Sequence, residues 1–162
     1  MYIVDVKQII MKEALIQFLS KFNEFTEVQV QELASLMAVS EIKKDFLIVK
    51  QGQECNLCYF VLKGCLRQYI IKDGIEKTIA IYTEEQAVSF YSNQISNPVS
   101  DTYLISMEDS IVLVGNPDID KDIYVKFPVL VEITRKMMEI DFGKTQQELT
   151  KYITLSPEER YL

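Results

Sequence analysis

The stretch VKQGQECNLCYFVLKGCLRQYIIKDGIEKTIAIY, residues 49–82, contains the clearest structural pattern in the chain. Apolar and polar residues alternate along it, and glycines interrupt the alternation at Gly52, Gly64 and Gly74. Alternation with a period of two indicates β-strands, and Asp73-Gly74 is a pair that readily takes the positive φ angles of a tight hairpin turn. The stretch therefore predicts antiparallel strands joined by short turns, with a hairpin at Asp73-Gly74.

Turn-forming residues continue this rhythm on both sides of the stretch, from residue 39 to residue 117. They recur about every ten residues, as KKD at 43, NP at 97, MED at 107 and GNP at 115. Short strands separated by evenly spaced turns are typical of sandwiches and barrels. The middle of the chain is therefore predicted to be an antiparallel β-barrel or sandwich.

Two helices are predicted before the β region. Apolar residues at helical spacing within residues 6–22 predict an amphipathic helix that ends near Asn23. Thr26 and Gln29 match a capping box, in which each side chain accepts a backbone N–H at the start of a helix. A second helix is therefore predicted over residues 27–37.

Two proline signals predict helices after the β region. Asn116-Pro117 is predicted to cap a short helix, and Pro128 is predicted to start a long one. The long helix carries an apolar seam with steps of 7, 4, 7 and 3 residues, the spacing of a helix that pairs with another helix. The seam consists of Val131, Met138, Phe142, Leu149 and Tyr152.

A second apolar row lies beside the first half of this seam and consists of Leu130, Ile133, Met137 and Ile140. Two apolar rows on one helix predict two partners, the β domain on one side and a second subunit on the other. Met137 and Met138 are interpreted as adaptable packing residues rather than as cofactor ligands. We therefore expect a homodimer that pairs through the long helix.

Composition excludes several classes of function. The chain has 162 residues, which fits one domain, and a net charge of −7, which disfavours duplex DNA as a direct ligand. It contains no histidine, so histidine-based hydrolase triads and metal sites are excluded. Its longest apolar runs are far shorter than the roughly 20 residues that span a membrane.

The N-terminal apolar stretch is interrupted by charges and therefore lacks the core of a signal peptide. The charged residues are Asp5, Lys7, Lys12 and Glu13. A cytoplasmic location is expected. Met11 offers a second plausible start, so residues 1–10 are a candidate extension of the basic fold.

Three cysteines, Cys55, Cys58 and Cys65, are an odd number for a disulfide framework and too few for a four-ligand metal site without histidine. Alternation through CYFVLKGC predicts that Cys58 points into the core. We interpret the cysteines as structural, and we expect no metal and no cofactor.

Residues 49–82 resemble the cyclic-nucleotide-binding-type sensor domain of Crp/Fnr transcriptional regulators, with its Gly-marked turns at Gly52, Gly64 and Gly74 and a long helix starting near Pro128. The resemblance implies an α+β, mainly β fold: a double-stranded β-helix, or jelly-roll β-roll, flanked by N-terminal helices and a long C-terminal dimerisation helix.

The same resemblance implies three parts of the chain. Residues 1–127 form the β-roll sensor domain with its N-terminal helices, and residues 128–155 form the dimerisation helix. Residues 156–162 are similar to the connector that leads into the family's DNA-binding helix-turn-helix, which these 162 residues do not include. Ser156 and Glu159 match a further capping box there, with Pro157 at the first helical position.

In the family, a Gly-Glu pair and an Arg of a phosphate cassette bind the cyclic nucleotide. We call residues 83–103 the cassette segment. Aligning this segment with the family's pattern places Ser89 and Phe90 at the Gly-Glu pair and Ser100 at or near the Arg. The chain has no Lys or Arg between Thr83 and Asp109, so a cyclic phosphate would lack its cationic partner. We therefore predict that cyclic AMP does not bind in the usual way.

Two interpretations of the cassette segment remain open: a remodelled pocket for an uncharged or cationic effector, or a solvated loop with ordinary turn chemistry. Its acids, Glu84, Glu85 and Asp101, are interpreted as solvated rather than catalytic. Thr145 and Gln146 fall where the family's purine-contacting pair lies, although a polar seam residue also serves to set helix register. The candidate effector-binding residues are Ser89, Phe90, Tyr91, Ser92, Asn93, Ser100, Asp101, Thr102, Tyr103, Thr145 and Gln146.

Three hypotheses of function follow. The first is an effector-sensing, dimeric domain of a bacterial transcriptional regulator that meets DNA only through a helix-turn-helix, with neither enzymatic activity nor membrane contact. The second is a ligand-free dimerisation or interaction module with the same fold. The third is a cupin-like enzyme, which usually needs the histidine-rich metal site that this chain lacks.

Overall fold

Strands dominate the middle of the chain and helices lie at both ends. The structure, a computed structural model, describes residues 6–88, 99–156 and 158–159. The helices are α1 (Val6–Leu19), α2 (Glu27–Leu36), α3 (Lys121–Lys126) and α4 (Val129–Thr154). The strands are β1 (Ala38–Ile42), β2 (Leu47–Val49), β3 (Cys58–Lys63), β4 (Leu66–Lys72), β5 (Ile75–Tyr82), β6 (Ala87–Val88), β7 (Tyr103–Ser106) and β8 (Ser110–Gly115).

The strands form two antiparallel sheets of four strands each. Sheet A has the order β1-β8-β3-β6, and sheet B has the order β2-β7-β4-β5. Strands that are distant in sequence are neighbours in both sheets, as in a rolled jelly-roll topology. Both sheets contribute to one buried aliphatic cluster, which consists of Ile42, Val49, Val61, Leu66, Val88, Leu104 and Val112.

The predicted hairpin is confirmed. Asp73 and Gly74 take φ angles of 55° and 75° between β4 and β5, as a two-residue turn with positive φ at both positions requires. Further along the hairpin, Gln68 pairs with Ala80 and Tyr69 with Thr78, so Ile79 is left unpaired as a β-bulge.

The helix signals before the sheets are confirmed, with one shift of a boundary. Thr26 and Gln29 form both bonds of the capping box at the start of α2. The first helix ends at Leu19, earlier than the predicted end near Asn23, because the chain tightens at once into turns. Against the outer side of sheet A, the Phe18 ring of α1 lies 4.9 Å from the ring of Phe60.

The prediction for Asn116-Pro117 is wrong in its position. The Oδ1 atom of Asn116 accepts the backbone N–H of Asp118, and Asp120 Oδ2 accepts the N–H of Asn116 at 2.7 Å. These bonds form a turn, and the short helix starts only at Lys121. The polar side chains therefore stabilise a connection before the helix rather than cap it.

The prediction for Cys58 is also wrong, because its side chain is exposed. On β3 the side chains that face the core belong to Tyr59 and Val61, which leaves Cys58 and Phe60 on the other face. The pairing of β3 with β8, in which Tyr59 lies opposite Val114, determines which side chains of β3 face the core.

The chain divides into two compact units, Met1–Ile123 and Tyr124–Leu162. The second unit contains α4, a helix of 26 residues that follows Pro128 as predicted. At its end, Ser156 N donates to Glu159 Oε2 at 2.9 Å and Glu159 N donates to Ser156 Oγ at 3.4 Å, so the predicted second capping box forms. Within the described ranges, no helix combines the length and the apolar character that crossing a membrane requires.

Candidate functional site

The described part of the cassette segment includes the residues that lead into β7. Ser100, Asp101, Thr102 and Tyr103 all lie there. The candidate residues Ser89, Phe90, Tyr91, Ser92 and Asn93 lie outside the described residues.

Ser100 is held tightly in a turn. It is 3% exposed, its N–H donates to Gln53 O at 2.9 Å, and its carbonyl accepts the N–H of Gly52 at 2.8 Å. Its hydroxyl donates to Thr102 O at 2.8 Å and accepts the N–H of Thr102 at 3.2 Å. The Ser100 side chain therefore organises the backbone of the turn.

A chain of side-chain hydrogen bonds crosses the interior beside this turn. The Tyr82 hydroxyl donates to Gln68 Oε1 at 2.7 Å, and Gln68 Nε2 donates to Thr102 Oγ1 at 2.7 Å. Gln68 is 4% exposed and lies on the same face of β4 as Leu66, two residues earlier, which is fully buried. These bonds join three polar residues in an otherwise aliphatic interior.

Sequence reasoning missed Gln68 and Tyr82. One signal for Gln68 was available: it stands two residues after Leu66 in an alternating strand, so a polar side chain falls on the face predicted to be buried. Its hydrogen-bond partners lie 14 and 34 residues away in the sequence, and alternation gives no information on them.

Tyr103 lies on the opposite face of sheet B from the buried Leu104. Its ring stacks on the ring of its cross-strand neighbour Tyr69, with centroids 5.0 Å apart, and the Arg67 guanidinium lies 4.5 Å from the Tyr69 centroid. Burial raises the pKa of Tyr69, and the nearby Glu76 carboxylate acts in the same direction.

The Arg67 guanidinium is already engaged on that outer face. Its Nε donates to Thr78 Oγ1 at 2.7 Å, and one of its terminal nitrogens donates to Glu76 Oε2 at 2.8 Å. Arg67 therefore does not replace the missing cassette Arg inside the roll.

The acids near the cassette segment have structural contacts or face solvent. Glu84 Oε1 accepts the backbone N–H of Gly64 at 3.1 Å, and this bond is the main cause of the lowered pKa of Glu84. Glu85 forms an ion pair with Lys21, and Asp101 is exposed. The described acids of the cassette segment are therefore engaged in structural contacts or exposed to solvent.

The two candidates on α4 belong to the second unit. Thr145 Oγ1 donates to the carbonyl of Asp141 at 3.0 Å, one turn earlier, and Gln146 is exposed. The five seam residues of α4 are also exposed, from 48% at Val131 to 66% at Met138. In the second apolar row, Leu130 and Ile133 are buried.

The cysteines do not form a metal site. Cys55 Sγ donates to Leu57 O at 3.6 Å, and burial raises the pKa of Cys55. Among the residues that the structure describes, no three His, Cys, Asp or Glu side chains are placed to hold a metal ion.

Solved structures share this architecture. No protein-family model matches the sequence, and no curated protein matches it. A cyclic nucleotide-binding domain from Methylobacillus flagellatus is similar over 90% of this chain and 85% of its own, with a TM-score of 0.66 and 16% identity. The chain has the cyclic-nucleotide-binding-type β-roll fold. The predicted fold class is therefore confirmed.

Two longer proteins contain the same β-roll. The Thermus thermophilus catabolite activator protein matches 80% of this chain with a TM-score of 0.59 and 15% identity. A CooA variant from Carboxydothermus hydrogenoformans matches 88% of it with a TM-score of 0.61 and 17% identity. This chain spans 61% and 59% of the length of those two proteins.

Proposed function

We propose that this chain is the effector-sensing and dimerisation part of a cytoplasmic transcriptional regulator of the Crp/Fnr type. The observation that carries the proposal is the combination of a β-roll with a 26-residue helix whose apolar seam is exposed. Such a helix is stabilised by covering its seam, and a second copy presents the same self-complementary surface. Residues 1–127 would sense the effector, and residues 128–155 would pair with the same helix of a second copy. Residues 156–162 would lead into a DNA-binding module outside this sequence.

The proposed effector is uncharged or cationic. The only described side chains that cross the interior beside Ser100 are neutral hydrogen-bonding groups, those of Gln68, Tyr82 and Thr102. The nearby Arg67 is held on the other face of the sheet by Glu76 and Thr78. A buried phosphate without a cation would be strongly disfavoured.

A ligand-free interaction module with the same fold is the second candidate. It is favoured by the hydrogen bonds that Ser100 makes within its own turn, since a residue occupied in this way contributes less to binding a ligand. The two candidates share the dimer and differ only in whether a small molecule binds.

Native mass spectrometry of the purified chain separates these candidates. The sensor proposal expects a dimer that carries an additional small mass, which is released when the protein is denatured. A dimer of unmodified mass that no compound stabilises in a thermal screen would favour the ligand-free module. A monomer at micromolar concentration would overturn the proposed pairing of α4.

A further inference from the structure

Gln68 places an amide in the apolar interior of the β-roll. Its cross-strand partner on β7 is Leu104, which is fully buried, and Leu66 on its own strand is also fully buried. An amide in such surroundings costs free energy unless its donor and acceptor are both used. In Gln68 both are used, with Tyr82 as donor and Thr102 as acceptor.

These two bonds reach opposite neighbours of β4 in sheet B. Tyr82 ends β5, on one side of β4, and Thr102 directly precedes β7, on the other side. The amide oxygen of Gln68 therefore faces the β5 side and its nitrogen faces the turn that precedes β7. Gln68 therefore joins the end of β5 to the turn that precedes β7 through one side chain.

In the part of the chain that the structure describes, two sets of hydrogen bonds attach the turn at Ser100–Thr102 to other segments. Backbone bonds join Ser100 to Gly52 and Gln53. On the interior side, the Gln68 amide bonds the Thr102 hydroxyl. This second bond, unlike the backbone bonds, runs between two side chains, so changing one side chain removes it.

We propose that Gln68 is the positioning residue that fixes the Ser100–Thr102 turn against β4. In the sensor of the proposed function, on which this second step rests, an uncharged effector with its own hydrogen-bonding group alters the turn by taking the place of Thr102 on the Gln68 amide. A carboxylate or phosphate is a poorer competitor, because the described groups around the Gln68 amide, those of Tyr82 and Thr102, are neutral.

Amide hydrogen exchange of the complete chain tests the positioning role without any effector. The reporters are the N–H groups of Gly52, Ser100 and Thr102, and Val112 on β8 reports on the rest of the core. Thr102→Val keeps the shape of the side chain and removes the acceptor of the Gln68 amide. It should speed exchange at the three reporters by about tenfold, the effect of one lost hydrogen bond.

Two control variants separate this local effect from a general loss of stability. Tyr82→Phe removes the other bond of Gln68 and should change exchange at the three reporters by less than about twofold relative to Val112. Thr78→Val makes the same substitution on the outer face, where the hydroxyl meets Arg67, and should leave the reporters unchanged.

Equal acceleration at Val112 and at the reporters in Thr102→Val would overturn the positioning role, and so would unchanged exchange at Ser100. Neither result depends on a ligand or on a dimer. A dimer of unmodified mass that no compound stabilises in a thermal screen would instead count against the sensor proposal and leave the positioning role of Gln68 intact.

Discussion

Gly64 lies against Ser110 so closely that no side chain fits between them. A Cβ atom built on Gly64 would be 2.2 Å from Ser110 Oγ and 2.8 Å from Ser110 Cα, and Gly64 has a φ angle of 105°. Ser110 cannot easily withdraw, because its hydroxyl accepts the N–H of Cys65 and donates to Glu108 O. The turn between β3 and β4 therefore requires glycine for its space as well as for its backbone angle.

Gly64→Ala should strongly destabilise the β-roll. The clash and the positive φ angle act together, so we expect the free energy of unfolding to fall by about 3 kcal/mol or more. Urea denaturation followed by circular dichroism measures the change.

Gly74→Ala is the matched control for Gly64→Ala. Gly74 also has a positive φ angle, 75°, but no other residue approaches the position of its Cβ within 4 Å. Only the backbone penalty of about 1–2 kcal/mol then applies. Equal losses in the two variants would show that contact with Ser110 contributes nothing.

Stability should decrease in acid because of a carboxylate network on sheet A. Glu41 lies 2.7 Å from Lys43 and 2.8 Å from Lys7, and Lys43 also lies 3.2 Å from Asp109. The hydrogen bond from Lys43 lowers the pKa of Glu41 below its usual 4.5, and the N–H of Lys44, followed by Lys43, lowers the pKa of Asp109 below its usual 3.8.

The sign of the pH effect follows from these directions. A carboxyl group with a lowered pKa in the folded state binds fewer protons there than in the unfolded state, so its stabilisation is present above pH 4.5 and is lost as the pH falls through the folded-state pKa. Urea midpoints should be similar at pH 7 and pH 5 and should decrease at pH 4 and again at pH 3. Glu41→Gln should flatten the decrease, and an unchanged slope in that variant would contradict the role of the network.

Local sequence signals predicted much of this fold. Three of these signals act within a few residues, by restricting backbone angles or by satisfying N–H groups. They are Asp73-Gly74, the capping box of Thr26 and Gln29, and Pro128. Their structural consequence does not depend on distant parts of the chain. The position of the short helix was missed because the Asn116 side chain bonds the N–H of Asp118 and forms a turn.

Features that depend on strand pairing were harder to predict. Alternation shows that successive side chains of β3 point to opposite faces of the sheet, but it does not show which face is buried. Placing Cys58 instead of Tyr59 in the core therefore assigns every side chain of the strand to the wrong face. The correct choice is set by pairing with β8, which lies about 50 residues later. The interior role of Gln68 was missed for the same reason, since Thr102 comes beside it only when β7 pairs with β4.

Phe142→Glu should disrupt the proposed homodimer. Phe142 is 64% exposed at the middle of the α4 seam, and an acidic side chain there would face its symmetry mate in an apolar interface. Sedimentation velocity should show a monomer for this variant and a dimer for the natural chain. Gln147→Glu, which adds the same charge at an exposed position of α4 outside the seam, should remain a dimer.

Cyclic AMP should not bind measurably to this chain. No Lys or Arg lies between Thr83 and Asp109, and Arg67 on β4 is held by Glu76 and Thr78 beside the Tyr69 ring. A phosphate would have to enter beside Glu84 and Asp101 without a cationic partner, at a cost of several kcal/mol.

Isothermal titration calorimetry with cyclic AMP should therefore give no saturable heat, corresponding to a Kd weaker than about 1 mM. Adenosine keeps the base and the ribose but carries no phosphate. It is the matched probe, because its binding does not require a cationic partner. Saturable binding of cyclic AMP in the micromolar range would show that cations from outside the described residues or from a second copy complete the site, and the proposal of an uncharged or cationic effector would then be wrong.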